Sequence, residues 1–444
     1  MSHHDADLIG IGFGPGNLAL AIALKERHPH LKAVFLESRP GPAWQPGMLL
    51  DGSDIQNNPI RDLISPVNPR SRFTFINYLH ETGRFFAYLN LGAQYPLRKE
   101  YAGYVRWVAE QVGADVRYDA RVTEVLRDGR NPATAVVRLA DGSELRAPAV
   151  VAAPGRAPNV PEPFTSIAHP RVRHFTEYLD ALSEVAGHRE PRVVVVGGSQ
   201  SAVELVLDLR SQLPHGQVTG LVRSFGYRQK DTSPFMDEVY LPEFTDYYYE
   251  ASEDAKKALN RDLRYTNYSA ADIDVIHTLY LKMHEDRLDG AERVDVRRCT
   301  DIEGCAADGE RVTLSLRERY TGDTEELQAD LVVLATGFRD LGSPKEGGEF
   351  LPALLNGIAA GVRATASGRA DVGRDYRLPA ADPDAPFPLV YLNGLCETSH
   401  GMGDAGSFSL LALRARDIAS SLHSHLTGPD CRAPGAGTAN TTAA

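Results

Sequence analysis

Glycines and one acid mark the first place where this chain could do chemistry. Gly12, Gly14 and Gly16 crowd the stretch "DLIGIGFGPGNLALAIAL" (Asp7 to Leu24), where an apolar strand hands over to an apolar helix. Glycine tolerates positive φ and close approach of a ligand, and a helix N-terminus offers unpaired N–H groups to an anion. The turn Gly12-Phe13-Gly14-Pro15-Gly16 is therefore a candidate cradle for a pyrophosphate. A second apolar stretch, "KAVFLES", ends in Glu37, 25 residues after Gly12, where a carboxylate can hold a ribose hydroxyl. The fingerprint reads G-x-G-x-x-N, with Asn17 in place of the third glycine.

The same grammar returns in "EPRVVVVGGSQSAVELVLDLRSQL" (Glu190 to Leu213). Four valines run into Gly197-Gly198-Ser199-Gln200-Ser201 and then into an apolar helix, as expected for a parallel strand buried on both faces. The following strand, "QVTGLVRS", ends at Arg223 and Ser224 and not at an acid. A cation and a hydroxyl there suit a 2′-phosphate, which favours NADPH over NADH. A third stretch, "ADLVVLATGF" (Ala329 to Phe338), is a buried strand running into Ala335-Thr336-Gly337. Two dinucleotide folds plus this strand describe a flavin enzyme whose FAD is reduced by a pyridine nucleotide. A disulfide reductase would need a redox-active cysteine pair, and Cys299, Cys305, Cys396 and Cys431 form no CxxC motif and no metal-ligand cluster.

These motifs need a large scaffold. At 444 residues the chain predicts two or three domains, and its 43% hydrophobic and 24% charged content is that of a soluble globular protein. A net charge of −12 argues against nucleic acid or an anionic membrane as partner. No apolar run reaches the roughly 20 residues of a membrane span, "MSHHDAD" is not a signal-peptide start, and the cysteine usage suits a reducing cytosol. The Pro/Gly-rich tail at 428–444 predicts disorder. The expected fold is α/β, with two Rossmann-like domains and a smaller, mainly helical substrate region. The boundaries read as an FAD domain from 1–169 and 338–427, and an NADPH domain at 170–337 that includes substrate-region helices at about 232–285.

Several further blocks carry a family resemblance: "FLESRPGPAWQPGMLL", "FTFINYLHETGRFFAYLNLG", "YPLRKEYAGYVRWVAEQV", "DTSPFMDEVYLPEF", "YTNYSAADIDVI", "VVLATGF" and "HGMGDAGSFSLLALRARDI". With the two glycine turns, they resemble, in order, the class B flavin-dependent N-hydroxylating monooxygenases, the L-ornithine N5- and L-lysine N6-monooxygenases of siderophore and related biosynthesis. The resemblance runs from about Asp7 to Leu426. It implies that NADPH reduces FAD, that a C4a-hydroperoxyflavin forms with O2, and that an unprotonated substrate amine takes the distal oxygen. The protein adds no nucleophile of its own. Its polar residues orient the amine, which is catalysis by proximity. The resemblance also implies a homo-oligomer, commonly a homotetramer.

Carried over position by position, Gly12, Gly14, Pro15, Asn17, Glu37, Trp44, Gln56, His400, Gly401 and Asp404 match FAD-binding positions. Gly198, Ser199, Gln200, Ser201 and Arg223 match the NADPH segment. At the substrate, "IQNNPIRDL" places Arg61 where the family has a carboxylate-binding lysine, and "FMDE" places Asp237 where it has an asparagine. Asn267 is retained, and the loop after His400 is one residue longer, with Gly406 and Ser407 where relatives carry leucines. Arginine offers a two-pronged fork where lysine offers a point charge, so the exchange is not neutral. Asp237 can face a substrate ammonium or pair with Arg61. The substrate therefore stays open among ornithine, lysine, a diamine and an acidic amino acid such as aspartate. A Baeyer–Villiger or sulfur-oxidising relative, with His174 as its candidate residue, and a flavin-bound scaffold or uncoupled oxidase are the competing classes.

Overall fold

The computed structural model describes residues 4–428. The tail, apart from Gly428, and Cys431 lie outside the described residues.

Two parallel sheets organise the chain. In the first, the spatial order is Leu389–Leu392, Ala149–Ala152, Leu8–Ile11, Ala33–Leu36 and Asp115–Arg117, with every neighbour parallel. Its strands thus come from both ends of the sequence. The central strands "LIGI" and "AVVA" are buried at every residue, in one core with the helix Pro15–Arg27 and with Ala135, Val137 and Leu145 of the antiparallel strands. The helix Pro15–Arg27 is buried continuously over residues 17–24, since it lies between the sheet and the C-terminal helix Leu411–Thr427. The alanines of "NLALAIAL" permit that close packing, and Lys25 and Arg27 in the last turn complement the helix dipole.

The second sheet runs in the order Val294–Arg297, Gln217–Leu221, Arg192–Val196, Leu331–Leu334 and Val172–His174, again all parallel. Val193, Val194 and Val195 are fully buried: Val193 and Val195 share a core with Val203, Val206 and Leu209 of the helix Gln200–Gln212, and Val194 enters a separate core on the opposite face. Each body carries a three-stranded antiparallel appendage, at Val122–Ala147 in the first and Thr300–Ala329 in the second. The chain crosses between the bodies beside a two-stranded contact, Ala157–Pro158 against Phe338–Arg339. Helices Pro242–Glu250, Glu253–Asp262, Arg264–Asn267 and Ile273–Leu288 lie in the chain between the second-sheet strands Gln217–Leu221 and Val294–Arg297. Among the described residues, no helix is long and apolar enough to cross a membrane.

Candidate functional site

A cleft of about 610 Å³ opens at the carboxyl ends of the first sheet's strands, where open α/β sheets bind ligands. Its floor is the first glycine turn. Gly12 has φ +81°, and a Cβ there would stand 2.4 Å from the Ala153 carbonyl oxygen, so no other residue fits. Gly14 has nothing within 4 Å of its Cβ position, which leaves the backbone open to the cleft. Pro15 takes the first helical position, where its missing N–H costs nothing.

Asn17 works from below. Its side-chain amide donates to the carbonyls of Gly12 (2.8 Å) and Ile11 (3.2 Å), and its oxygen accepts from Asn393 Nδ2 (3.1 Å). It is completely buried and shapes the turn without lining the cleft. Glu37 lines the cleft and accepts from the backbone N–H groups of Phe13 (2.8 Å) and Arg39 (2.9 Å), tying the second strand's end to the turn. Trp44 forms the opposite wall, edge-on to Phe408 at 5.3 Å and to Tyr101 at 6.1 Å.

The C-terminal segment closes the cleft differently from the sequence expectation. Asp404 is buried and pairs with Arg414 (2.8 Å), which also donates to Asn393 Oδ1 (2.7 Å). Arg414 and Asn393 line the cleft, whereas Asp404 and His400 stand behind its wall. His400 stacks on Tyr376 at 4.1 Å and bonds the Arg374 carbonyl through Nε2, and burial pushes its pKa down to about 4. It is a neutral histidine at physiological pH. Gly401 adopts φ +92° with its Cβ position 3.0 Å from the Phe244 ring. Gln56 sits at φ +50° and accepts from Lys230 Nζ (3.3 Å); its buried Nε2 has no partner among the described residues, and it does not line the cleft. The glycine cradle, the acid and the indole wall fit a flavin dinucleotide.

The second turn repeats the design. Gly197 has φ +145°, and a Cβ would meet the Ala335 carbonyl oxygen at 2.3 Å. Gly198 and Ser199 lead into the helix Gln200–Gln212, whose second residue is Ser201. Gln200 is already engaged: it donates to Glu204 Oε1 (3.0 Å) and accepts from the Asp272 N–H (2.8 Å). Arg223 stands exposed two residues beyond its strand, with its guanidinium in no ion pair among the described residues. Arg298 lies nearby in the fold, 5.5 Å from the ring of the exposed Phe225.

Two of the three substrate candidates, Arg61 and Asn267, meet the loop after His400, and Arg61 and Asp237 both act on one tyrosine. Arg61, half-buried, donates to Ser409 Oγ (3.3 Å) and pairs with no carboxylate among the described residues. Asn267 Nδ2 lies 3.5 Å from the Cβ position of Gly406, a residue of the cleft wall. Asp237 is half-buried and forms no ion pair among the described residues, so the alternative of an Arg61–Asp237 pair is not realised. Both charges act on the Tyr240 phenol, whose pKa burial raises, Asp237 raises further and Arg61 lowers. His174 bonds the Gly337 carbonyl (2.8 Å) and Thr176 Oγ1 (3.0 Å) and does not line the cleft.

Sequence reasoning missed Arg156, Asn393, Phe408 and Arg414 as cleft residues. The only signal for Arg414 was a charge within the otherwise apolar "LLALRARDI" helix.

The sequence profile of a family described as L-lysine 6-monooxygenase/L-ornithine 5-monooxygenase matches residues 4–340. An L-ornithine N(5)-monooxygenase of Burkholderia cepacia is 39% identical over 410 residues, covering 89% of each chain. The L-ornithine N(5)-monooxygenase of Pseudomonas aeruginosa is 34% identical over 432 residues, covering 95% of this chain and 94% of its own length. Among solved structures, the ornithine N-hydroxylase of Kutzneria sp. 744, determined with reduced FAD, NADP+ and L-ornithine, superposes with a TM-score of 0.87 at 31% identity, covering 95% of this chain and 99% of its own.

Proposed function

This chain belongs to the L-lysine 6-monooxygenase/L-ornithine 5-monooxygenase family, and from that premise we propose which residues run its reaction. The enzyme is an FAD- and NADPH-dependent monooxygenase that N-hydroxylates the primary amine of a small amino acid or amine. Bound FAD supplies acceptance of hydride from NADPH and activation of O2. The Gly12–Asn17 turn, Glu37, Trp44 and Gln56 hold it, with Asn393 and Arg414 closing the far side. Gly198, Ser199, Ser201 and Arg223 hold NADPH, Arg223 at the 2′-phosphate. Residues 1–169 and 338–427 serve the flavin, 170–337 the nicotinamide cofactor, and the helices of about 232–285 the substrate.

The observation that carries the substrate reading is a half-buried Arg61 with no carboxylate partner among the described residues, set on Ser409 beside the cleft. Arg61 takes the substrate carboxylate through two parallel hydrogen bonds. Asp237, equally unpaired, faces the α-ammonium, and Asn267 fixes the register. This leaves a side-chain amine to be presented to the cleft. A free alkyl amine has a pKa of about 10, so the enclosed site must favour its neutral form by desolvation. The relatives' amino acids, ornithine and lysine, meet these demands. A decarboxylated diamine leaves Arg61 unpaired, and an acidic amino acid meets Asp237 with like charge.

The test is a panel on the purified holoenzyme, with NADPH and O2, scoring hydroxylamine separately from peroxide. L-Ornithine, L-lysine, 1,5-diaminopentane, L-aspartate, a cyclic ketone and a thioether form the panel. Hydroxylamine from ornithine or lysine is expected. Product only from the ketone or thioether, or peroxide alone with every compound, overturns the reading. Assembly as a homotetramer in the cytoplasm completes the proposal, and sedimentation of the purified protein checks the first part.

A further inference from the structure

One buried carboxylate beside the cleft has no part in the reading above. Glu397, about nine-tenths buried, opens the short helix Glu397–His400. It accepts from the Tyr268 hydroxyl (2.5 Å) on one oxygen and from Arg156 Nη1 (3.1 Å) on the other. The same Arg156 nitrogen reaches the Tyr268 hydroxyl (3.1 Å) and Asp340 (3.1 Å), while the guanidinium lies over the Phe338 ring at 5.1 Å. Four separate segments meet in this cluster. Arg156 follows a central strand of the first sheet, and Asp340 follows the strand returning from the second body. Glu397 belongs to the C-terminal portion, and Tyr268 caps the four-residue helix Arg264–Asn267.

The cluster touches the cleft on two sides. Arg156 lines it directly, and the Cβ position of Gly406 is 3.2 Å from Arg156 Nη2, 3.5 Å from Asn267 Nδ2 and 3.7 Å from the Tyr268 hydroxyl. Tyr268 is the immediate neighbour of Asn267, and a helix of four residues has little stability of its own. Its position must come from tertiary contacts. We propose that Glu397 is a positioning residue which, through Tyr268 and Arg156, clamps the Asn267 segment against the cleft loop at Gly406. The inference rests on the proposed role of Asn267 at the substrate, but the clamp itself is a statement about the fold. The charged and titratable groups facing Glu397 are Arg156, Asp340, Tyr268 and Asp404, and burial and Asp340 push its carboxyl up while Arg156 opposes them, to about 8.

Amide hydrogen exchange on holoenzyme, with and without L-ornithine, tests the clamp independently of turnover. In Glu397→Ala and in Tyr268→Phe, exchange is expected to rise in residues 264–271 while residues 8–27 keep wild-type protection. The Kd for L-ornithine, read from the flavin difference spectrum, is expected to weaken about fivefold or more, with flavin content and reduction by NADPH within twofold of wild type. Glu397→Gln, which keeps an acceptor for Tyr268, is expected to restore most of the protection. Unchanged exchange in 264–271 in both disruptive variants overturns the proposal, as does a rise spread over the whole chain with loss of flavin. If wild type binds no L-ornithine, the substrate reading fails, and the exchange data still decide the clamp. Tyr268→Phe removes one oxygen only and keeps the test valid should Glu397→Ala fail to fold.

Discussion

At the residue scale, single side chains divide into those that meet a ligand and those that shape the wall behind it. Arg223 is proposed for the first group: it is exposed, in no ion pair among the described residues, and two residues beyond a strand end beside the second glycine turn. Arg223→Gln is expected to raise KM for NADPH about tenfold or more while leaving kcat/KM for NADH nearly unchanged. A parallel loss with both cofactors would show that the residue does not read the 2′-phosphate. His400 belongs to the second group, and its protonation bears on stability. Its folded pKa, about 4, lies below the ordinary 6.5 because of burial, so below pH 6.5 the unfolded chain binds a proton that the native chain refuses. Stability is therefore lost as pH falls from 6.5 toward 4, by at most about 3 kcal/mol. Glu397 has the opposite sign. Its folded value of about 8 lies above the ordinary 4.5, so its contribution is complete below 4.5 and is lost as pH rises through 8. Thermal denaturation across pH should show His400→Gln flattening the loss of stability below pH 6.5 and Glu397→Gln flattening the decline between pH 4.5 and 8. Parallel curves for variants and wild type count against both assignments.

At the scale of elements, two strand–turn–helix units do the same work with different finishing residues. Each needs one glycine where the turn passes over a neighbouring strand's carbonyl: Gly12 over Ala153 and Gly197 over Ala335. Each lies at positive φ, so an added Cβ brings both backbone strain and a clash. Gly197→Ala is expected to destabilise by roughly 1–3 kcal/mol and to abolish saturable NADPH binding. The first body should keep its FAD, because the two turns sit on separate sheets. Flavin content and the rate of anaerobic reduction by NADPH separate these outcomes, and retention of normal reduction contradicts the role of the turn. Asn17 shows why a fingerprint need not end in glycine. An asparagine there satisfies two backbone carbonyls and Asn393 from beneath the turn, a job a third glycine cannot do.

At the scale of the molecule, the first sheet is completed by a strand near the far end of the chain, and the cleft needs both parts. The buried Asp404–Arg414 pair joins that return segment to the cleft through Asn393. Breaking one partner of a buried pair leaves an uncompensated charge, so Arg414→Met is expected to cost about 3–5 kcal/mol. A lowered Tm together with weakened FAD retention, partly recovered on adding Asp404→Asn, is the expected result. An unchanged Tm means the pair does not hold the return segment in place.

Much of this was legible in the sequence, for a local physical reason. Buried parallel strands must be continuous apolar runs, and a turn over a ligand must be bare, so "LIGIGFGPGN" and "VVVVGGSQS" declared their elements and their ligand type directly. The departures at Arg61 and Asp237 were visible too, as residue types. What the sequence could not supply was which of those charges were free, since pairing depends on segments hundreds of residues apart. Arg61 meets Ser409 and not Asp237; Arg156 gathers Tyr268, Asp340 and Glu397; and His400 and Asp404 stand behind the wall that Arg414 forms. The sequence by itself determined the two nucleotide turns and the kind of enzyme they serve, because those rest on backbone freedom and local apolar pattern. Only the tertiary structure decided which polar side chains are spent on the protein and which are left for a ligand, because that balance is set where distant segments meet in a buried space.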